Sequence, residues 1–442
     1  MAMSTYSLAD KLVIMAILAL PYDAIPHILP FVYRPLSLYF IVAAFAIYLL
    51  QNHGRFSLPK PVIQILFFSV VSVSVGSVVL LYHTGSFVGL KYYVPGLAMG
   101  MLSVIVFSQF LSRHKDPDFP KTVLKYVGYA YIPAMFLGTL ETLSCYHILP
   151  HVFKSVINTI FGGWQEFRPC LTNSEASYAS QHMVFAIFVY AYLYKVFHLK
   201  KWMYCTIVAA MLLLFTVSTK GYLLIILSVA FYGVFSSIAK GNFQKMVLKS
   251  IAVLLVLALI CFAMYQVLLL DPGTYFAKRV LEFKSISETI ESDSSAFVRL
   301  GLPMIALKMF LHNPLLGLGA GGCHVFTLEY IQRFMPFAMN LNDVLYMRKT
   351  GNAMSSAIIF QVLANFGVYG FVLFIRPLVV IWKRNKKIVA SIRSFALLFS
   401  FFIVQVVQSG NWAYMHMWFL FAFFSIKRSE SYSSFAGPSK NG

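Results

Sequence analysis

Charge is what this sequence has least of. Only 11% of its 442 residues are charged, with 15 acidic side chains against 35 Lys and Arg. A soluble domain carries about a quarter charged residues, so a water-exposed globular chain is excluded. Cysteine is scarce too. The five cysteines form no C-x-x-C pair and no Cys/His ligand spacing, which argues against a metal site. Cys145 and Cys170 fall in one outer segment, where they could pair, and are read as two free thiols. No glycine run ends in Lys-Ser or Lys-Thr, so there is no Walker loop, and the ATP-driven reading drops out. No Ser-His-Asp arrangement, internal repeat or low-complexity tract can be read along the chain.

What is present is apolar surface. Hydrophobic residues make up 59% of the chain, with 42 Phe and 26 Tyr suited to lipid-facing and interfacial positions. The runs are continuous over roughly 20 residues rather than alternating, which points to spanning helices and not to a barrel. The fold class expected is an all-α polytopic membrane protein, with 1–442 a single integral membrane domain. Runs of spanning length fall near 8–25, 36–50, 61–82, 93–111, 122–143, 176–197, 202–218, 221–238, 248–270, 354–382, 394–409 and 411–426. That is about 12 transmembrane helices. The opening "MAMSTYSLADKLVIMAILALPYDAIP" has no small-residue cleavage site followed by polar sequence, so it reads as a retained first helix.

The net charge of +20 is read as the positive-inside bias, with no nucleic-acid partner. Basic residues gather in "QNHGRFSLPK", "SRHKDPDFPK", "KVFHLKKW", "AKGNFQKMVLK" and "KRNKKIVASIR" and in the "IKRSE" tail. The intervening outer loops before residue 271 hold only Arg34, Lys91, Lys154, Arg168 and Lys220. Both termini are therefore expected in the cytoplasm, and 429–442 as a disordered cytoplasmic tail. The stretch "LGLPMIALKMFL" at 300–311 is too short to cross and holds Pro303 and Lys308, so it should lie along the surface or re-enter. Residues 271–353 then form one large outer loop containing short surface helices. Loops of that length usually carry function.

Cations from separate outer segments mark the candidate site. Arg168 and Glu175 lie in "EFRPCLTNSEASYASQ" just before a helix. Arg168 suits a phosphate by its planar fork, or an interfacial anchor. Glu175 is a candidate base, or a carboxylate favoured by a helix start. Lys220, in "VSTKGYLLI", sits between two apolar runs with almost no loop. A cation costs roughly 2.5–3.5 kcal/mol at a helix centre and less near the surface. It either snorkels to headgroups or serves a ligand. Arg299 opens the surface segment, where Lys308 and His312 share one helical face at i, i+4. The run "NPLLGLGAGG", with Gly319 inside it, closes that segment. It lets the backbone come close to something anionic or to a neighbouring helix, or is a plain loop. Gly367 and Gly370 suit close helix packing. Asp23 and Glu141 read as solvated groups near helix ends. His324, Glu329 and Asp343 read as loop residues, either solvated or contributing a base.

In this order the segments resemble the bacterial O-antigen polymerase and O-antigen ligase superfamily. The outer "R…E…Y" ends on Tyr178, a polar-basic turn follows, then Arg and "NPLLGLGAGG", then "NFGVYGFVLF". The best stretches are 168–180, 215–225, 299–322 and 355–374. The resemblance implies transfer of a glycan from a lipid diphosphate on the periplasmic face of the bacterial inner membrane, with no metal, no nucleotide sugar and no cofactor. It implies the lipid bilayer and an undecaprenyl-diphosphate-linked glycan as partners, together with a chain-length regulator and a flippase. Polymerases of the family join repeat units on the carrier and lengthen the chain at its reducing end. Ligases move the finished glycan to lipid A–core. In ligases a His–polar pair begins the helix that carries the G-x-x-G; here that place is Ser356-Ala357, which favours a polymerase. Where the family often has Ser-Arg, this chain has Thr219-Lys220. Catalytic roles are expected for Arg168, Glu175 and Arg299, and substrate contacts for Lys220, Tyr178, Lys308, His312, Gly319 and His324. The competing class is a lipid-linked oligosaccharide flippase or other transporter, but such proteins have mostly short loops and polar mid-membrane residues.

Overall fold

The structure is a computed structural model. It describes residues 6–22, 25, 35–114, 116, 118–163, 168–241, 244, 248, 291, 294, 297–351 and 357–426. Fifteen α-helices and no strand occur among the described residues. In chain order they are α1 Leu8–Leu18, α2 Leu36–Gln51, α3 Lys60–Thr84, α4 Leu90–Arg113, α5 Phe119–Cys145, α6 His151–Phe161, α7 Ala176–Phe197, α8 Lys200–Phe215 and α9 Thr219–Ala239. There follow α10 Leu302–His312, α11 Gly322–Phe334, α12 Asn342–Thr350, α13 Ile358–Ser391, α14 Arg393–Gln408 and α15 Met415–Ser425. The helix expected over 248–270, most of 271–296, the tail 429–442, and Asp23, Arg34, Ser355 and Ser356 lie outside the described residues.

Among the described residues five helices, α3, α4, α5, α9 and α13, are long and apolar enough to cross a membrane. α2, α14 and α15 are shorter apolar helices. α7, at 22 residues, is longer than α9 but carries Gln181 and His182, both buried inside the bundle. α15 is apolar apart from His416 and Ser425, and every one of its residues is buried, as such a helix must be when protein and not lipid surrounds it. α13 departs from its expected bounds. The basic stretch 383–387 continues the helix to Ser391, because Lys and Arg are good helix formers.

The expected non-spanning segment at 300–311 is α10, 11 residues long. At 1.5 Å per residue it covers about 16 Å, half a hydrocarbon core. It buries Leu302, Ile305 and Met309 with Phe297, Ile331, Ala338 and Val344 in a small core beside the main one.

The glycine run explains how this small core is joined to the bundle. α13 is interrupted at Gly367, whose φ of 62° and ψ of −157° no helix contains. The break frees backbone groups that an apolar setting would penalise. The run 314–320 meets them. Leu318 and Gly319 donate to the carbonyls of Ala364 and Asn365 at 2.9 and 2.8 Å. Val368 and Tyr369 donate back to Pro314 and Leu315 at 2.8 and 3.3 Å. Ala320 donates to Gly76 of α3 at 2.8 Å, and the Asn365 Oδ1 caps Cys323 N at 2.8 Å. Of the readings open for the run, the structure selects close approach to neighbouring helices. The amides of Gly317, Leu318, Gly319, Ala320 and Gly322 are committed to carbonyls, not free to cradle an anion.

Candidate functional site

The site grows from the junction of α7 and α9. Gly221 lets α9 approach so closely that a Cβ there would stand 2.5 Å from Ser180 Cβ. Ser180 and Ser218 bridge the same contact, Oγ to Oγ at 3.0 Å. This pins the turn 217–220 against the first turns of α7, where Glu175 is the residue before the helix and Tyr178 lies in its first turn.

Three distant cations meet at that turn. Arg168 Nη1 donates to the carbonyl of Val217 at 3.4 Å. Arg299, inside a π turn over Phe297–Gly301 anchored by buried Phe297, donates from Nη1 to Thr219 Oγ1 at 2.8 Å. Lys220 places Nζ 5.6 Å from the Tyr178 ring centroid and 5.8 Å from that of Tyr414, and the two rings meet edge to face at 6.0 Å. Lys220 lies within Coulombic reach of both Arg299 and Glu175. Glu175 accepts from Ser177 Oγ at 2.9 Å through Oε2. Arg168, Glu175, Lys220 and Arg299 are all half-buried. Like charges held together at partial burial repel and cost solvation, so the arrangement suits an anion that neutralises them.

Backbone strain accompanies the cluster. Val217 adopts φ 45° and Leu171 φ 56°. The left-handed region is unfavourable for a β-branched residue, and strain of this kind gathers at functional sites. Val217 spends it on aiming its carbonyl toward Arg168.

The remaining expected residues are placed elsewhere. Lys308 and His312 do share a face: His312 Nδ1 bonds the Lys308 carbonyl at 2.8 Å, and both lie against Phe334 of α11, with His312 also on Tyr330. That surface is exposed. His324 departs from the solvated alternative open to it. It is 7% exposed and stacks on Tyr92 with ring centroids 5.5 Å apart. Gly319 serves the α3–α13 packing described above. Cys145 and Cys170 are free thiols, as expected. Cys323 is buried, and desolvation pushes its thiol up to about 12.

Two features escaped sequence reasoning. Glu141, expected to be solvated, is fully buried and accepts backbone amides of the Arg168 segment. A glutamate inside an apolar run was the available signal. The second is a buried polar network beneath the cations. Tyr131 OH bonds His182 Nδ1 at 2.6 Å, the rings of His182 and His416 stand 4.7 Å apart, and Gln405 links His416 to Gln181. His416 lies within Coulombic reach of Lys220 and stacks on Tyr414. His182 and His416 are joined by no third Cys, Asp, Glu or His that would make a metal cluster among the described residues.

Comparison with known families adds one match. Residues 204–375 match a family model described as O-antigen ligase. That stretch carries Lys220, Arg299, the glycine run and the break at Gly367, but not Arg168 or Glu175. It agrees with the resemblance to the O-antigen polymerase and ligase superfamily and points to a glycosyltransferase-like membrane enzyme of surface glycan assembly. No curated protein matches the chain.

Proposed function

We propose that the 217–220 turn binds the diphosphate of an undecaprenyl-linked glycan, and that the protein polymerises O-antigen or related repeat units at the periplasmic face of the inner membrane. About 12 spans with both termini in the cytoplasm would give this turn and the 271–353 segment the same facing. The observation that carries the reading is the convergence of Arg168, Lys220 and Arg299 on one turn from three separate parts of the chain.

The chemistry needs no metal. The leaving group is a lipid diphosphate, on whose oxygens charge grows as the glycosidic bond breaks. Pre-placed cations in a partly water-excluded site stabilise that charge. Arg168 and Arg299 offer forked donors, and Lys220 a point charge held by two aromatic faces. Glu175 is positioned to take a proton from the hydroxyl of the incoming unit as it attacks the anomeric carbon. Tyr178, beside Lys220, suits a sugar ring or the diphosphate edge. Lys308 and His312 form a separate exposed cationic face, suited to a later part of the glycan. A chain-length regulator and a flippase belong to the same reading as partners.

The family description as O-antigen ligase favours a second reading, transfer to lipid A–core. The absence of His at Ser356-Ala357 favours polymerisation. Deleting the gene and resolving the surface polysaccharide on a gel separates the outcomes. A single repeat unit on core supports the polymerase. Long glycan accumulating on the carrier indicates a ligase, and loss of all translocated glycan a flippase.

A further inference from the structure

Glu141 is a buried carboxylate in the last turns of α5, a membrane-length helix. Its Oε1 accepts Cys170 N at 3.0 Å, and its Oε2 accepts Leu171 N at 2.5 Å. Both oxygens act as acceptors toward the one segment. The opposing charge comes from Lys154 of α6, 3% exposed and within Coulombic reach of Glu141. α6 turns Lys154 inward while Val152, Val156 and Ile160 face outward, so the lysine has been drawn off the surface toward the carboxylate.

Burying two opposite charges near each other is a poor way to stabilise a fold; apolar residues of the same volume often do better. What the carboxylate gains is control of a segment. Cys170 lies two residues after Arg168. Leu171 stands at φ 56°, its side chain seated over Gly138, where a Cβ would come within 2.5 Å of Leu171 Cδ2. Thr172 ties the same stretch to the Pro21 carbonyl at 2.7 Å. The segment ends at Glu175, the residue before α7. One carboxylate therefore fixes the strained centre of the stretch whose two ends carry Arg168 and Glu175.

We propose that Glu141 is a positioning residue, whose carboxylate holds the 168–175 segment so that Arg168 and Glu175 both face the 217–220 turn. This rests on the diphosphate-binding reading above. Misplacing a positioned group by about 1 Å can cost on the order of a hundredfold in rate, so the clamp acts on function without touching substrate.

Glu141→Gln alone leaves Lys154 buried without its counter-charge, which threatens folding itself; the pair E141Q/K154M removes both charges together. Purified wild type, R168A and E141Q/K154M in lipid nanodiscs are compared by thermal melting, by amide exchange over 168–175, and by binding of undecaprenyl diphosphate. The expected result is a double variant that melts near wild type, exchanges Cys170 and Leu171 at least about tenfold faster, and binds at least about tenfold more weakly, approaching R168A. Exchange and binding both unchanged in the folded double variant would overturn the clamp. Wild type that fails to bind undecaprenyl diphosphate would overturn the functional reading instead. The exchange measurement then decides the clamp by itself.

Discussion

Arg299 donates from Nη1 to Thr219 Oγ1 at 2.8 Å across 80 residues of sequence. This bond ties the π turn that precedes α10 to the residue preceding Lys220, and brings two cations to one place. Removing the hydroxyl while keeping its shape isolates the tie. Thr219→Val is expected to lower glycan polymerisation about tenfold, since a hydrogen bond to a charged group contributes roughly 1.5–3 kcal/mol. Thr219→Ser should stay near wild type. Chain-length ladders from complemented deletion strains, at equal protein in the membrane, provide the check.

The α7–α9 contact at Gly221 sets where Lys220 stands. A methyl group at 221 meets Ser180 Cβ within 2.5 Å, and Ser180 is itself buried. Gly221→Ala should force the helices apart and shorten the ladder. Moving the bulk back with S180G/G221A should recover it at least in part. A Gly221→Ala variant with normal ladders would show that the close approach does not position the lysine.

The break in α13 depends on Gly367, whose φ and ψ are reached by glycine alone. A Cβ there would also press on the carbonyls of Pro314 and Leu315. Gly367→Ala should destabilise the protein by roughly 1–3 kcal/mol, seen as a lower melting temperature and less protein in the membrane. An unchanged melting temperature would mean that the exchange of bonds between 314–319 and 364–369 is dispensable.

Cys323 offers a reporter on the same junction. Its thiol is buried and raised to about 12 by desolvation. A thiol whose pKa is raised holds little thiolate at pH 8, and the thiolate is the reactive form. N-ethylmaleimide at pH 8 should leave Cys323 unmodified in the folded wild type, as read by peptide mass. Labelling should appear in Gly367→Ala, where the loop loses its seat.

Much of this was legible in the sequence because charge is so sparse. In a chain with few ionisable side chains, Arg168, Lys220 and Arg299 stand out against apolar surroundings, and the structure brings all three to one turn. That α10 is a short helix followed from the brevity of the apolar run at 300–311. The purpose of the glycines did not follow. Their amide partners lie on α3 and in the broken part of α13, and no local pattern announces a carbonyl that a distant helix leaves free. Glu141 was misjudged for a related reason. Its position on α5 could be read, but not the segment that folds over it. His182 and His416 were invisible as a pair because α7 and α15 meet only in the tertiary fold.

The central claim is that the three cations serve one anion. A double-mutant cycle between Arg168→Ala and Arg299→Ala, read as undecaprenyl diphosphate affinity of purified protein in nanodiscs, tests it most directly. Two groups that grip one diphosphate are coupled, so each single variant should bind at least about tenfold more weakly and the double variant should lose clearly less than the product of the two. Wild-type affinity in either single variant, or losses that multiply as for independent sites, would contradict the account.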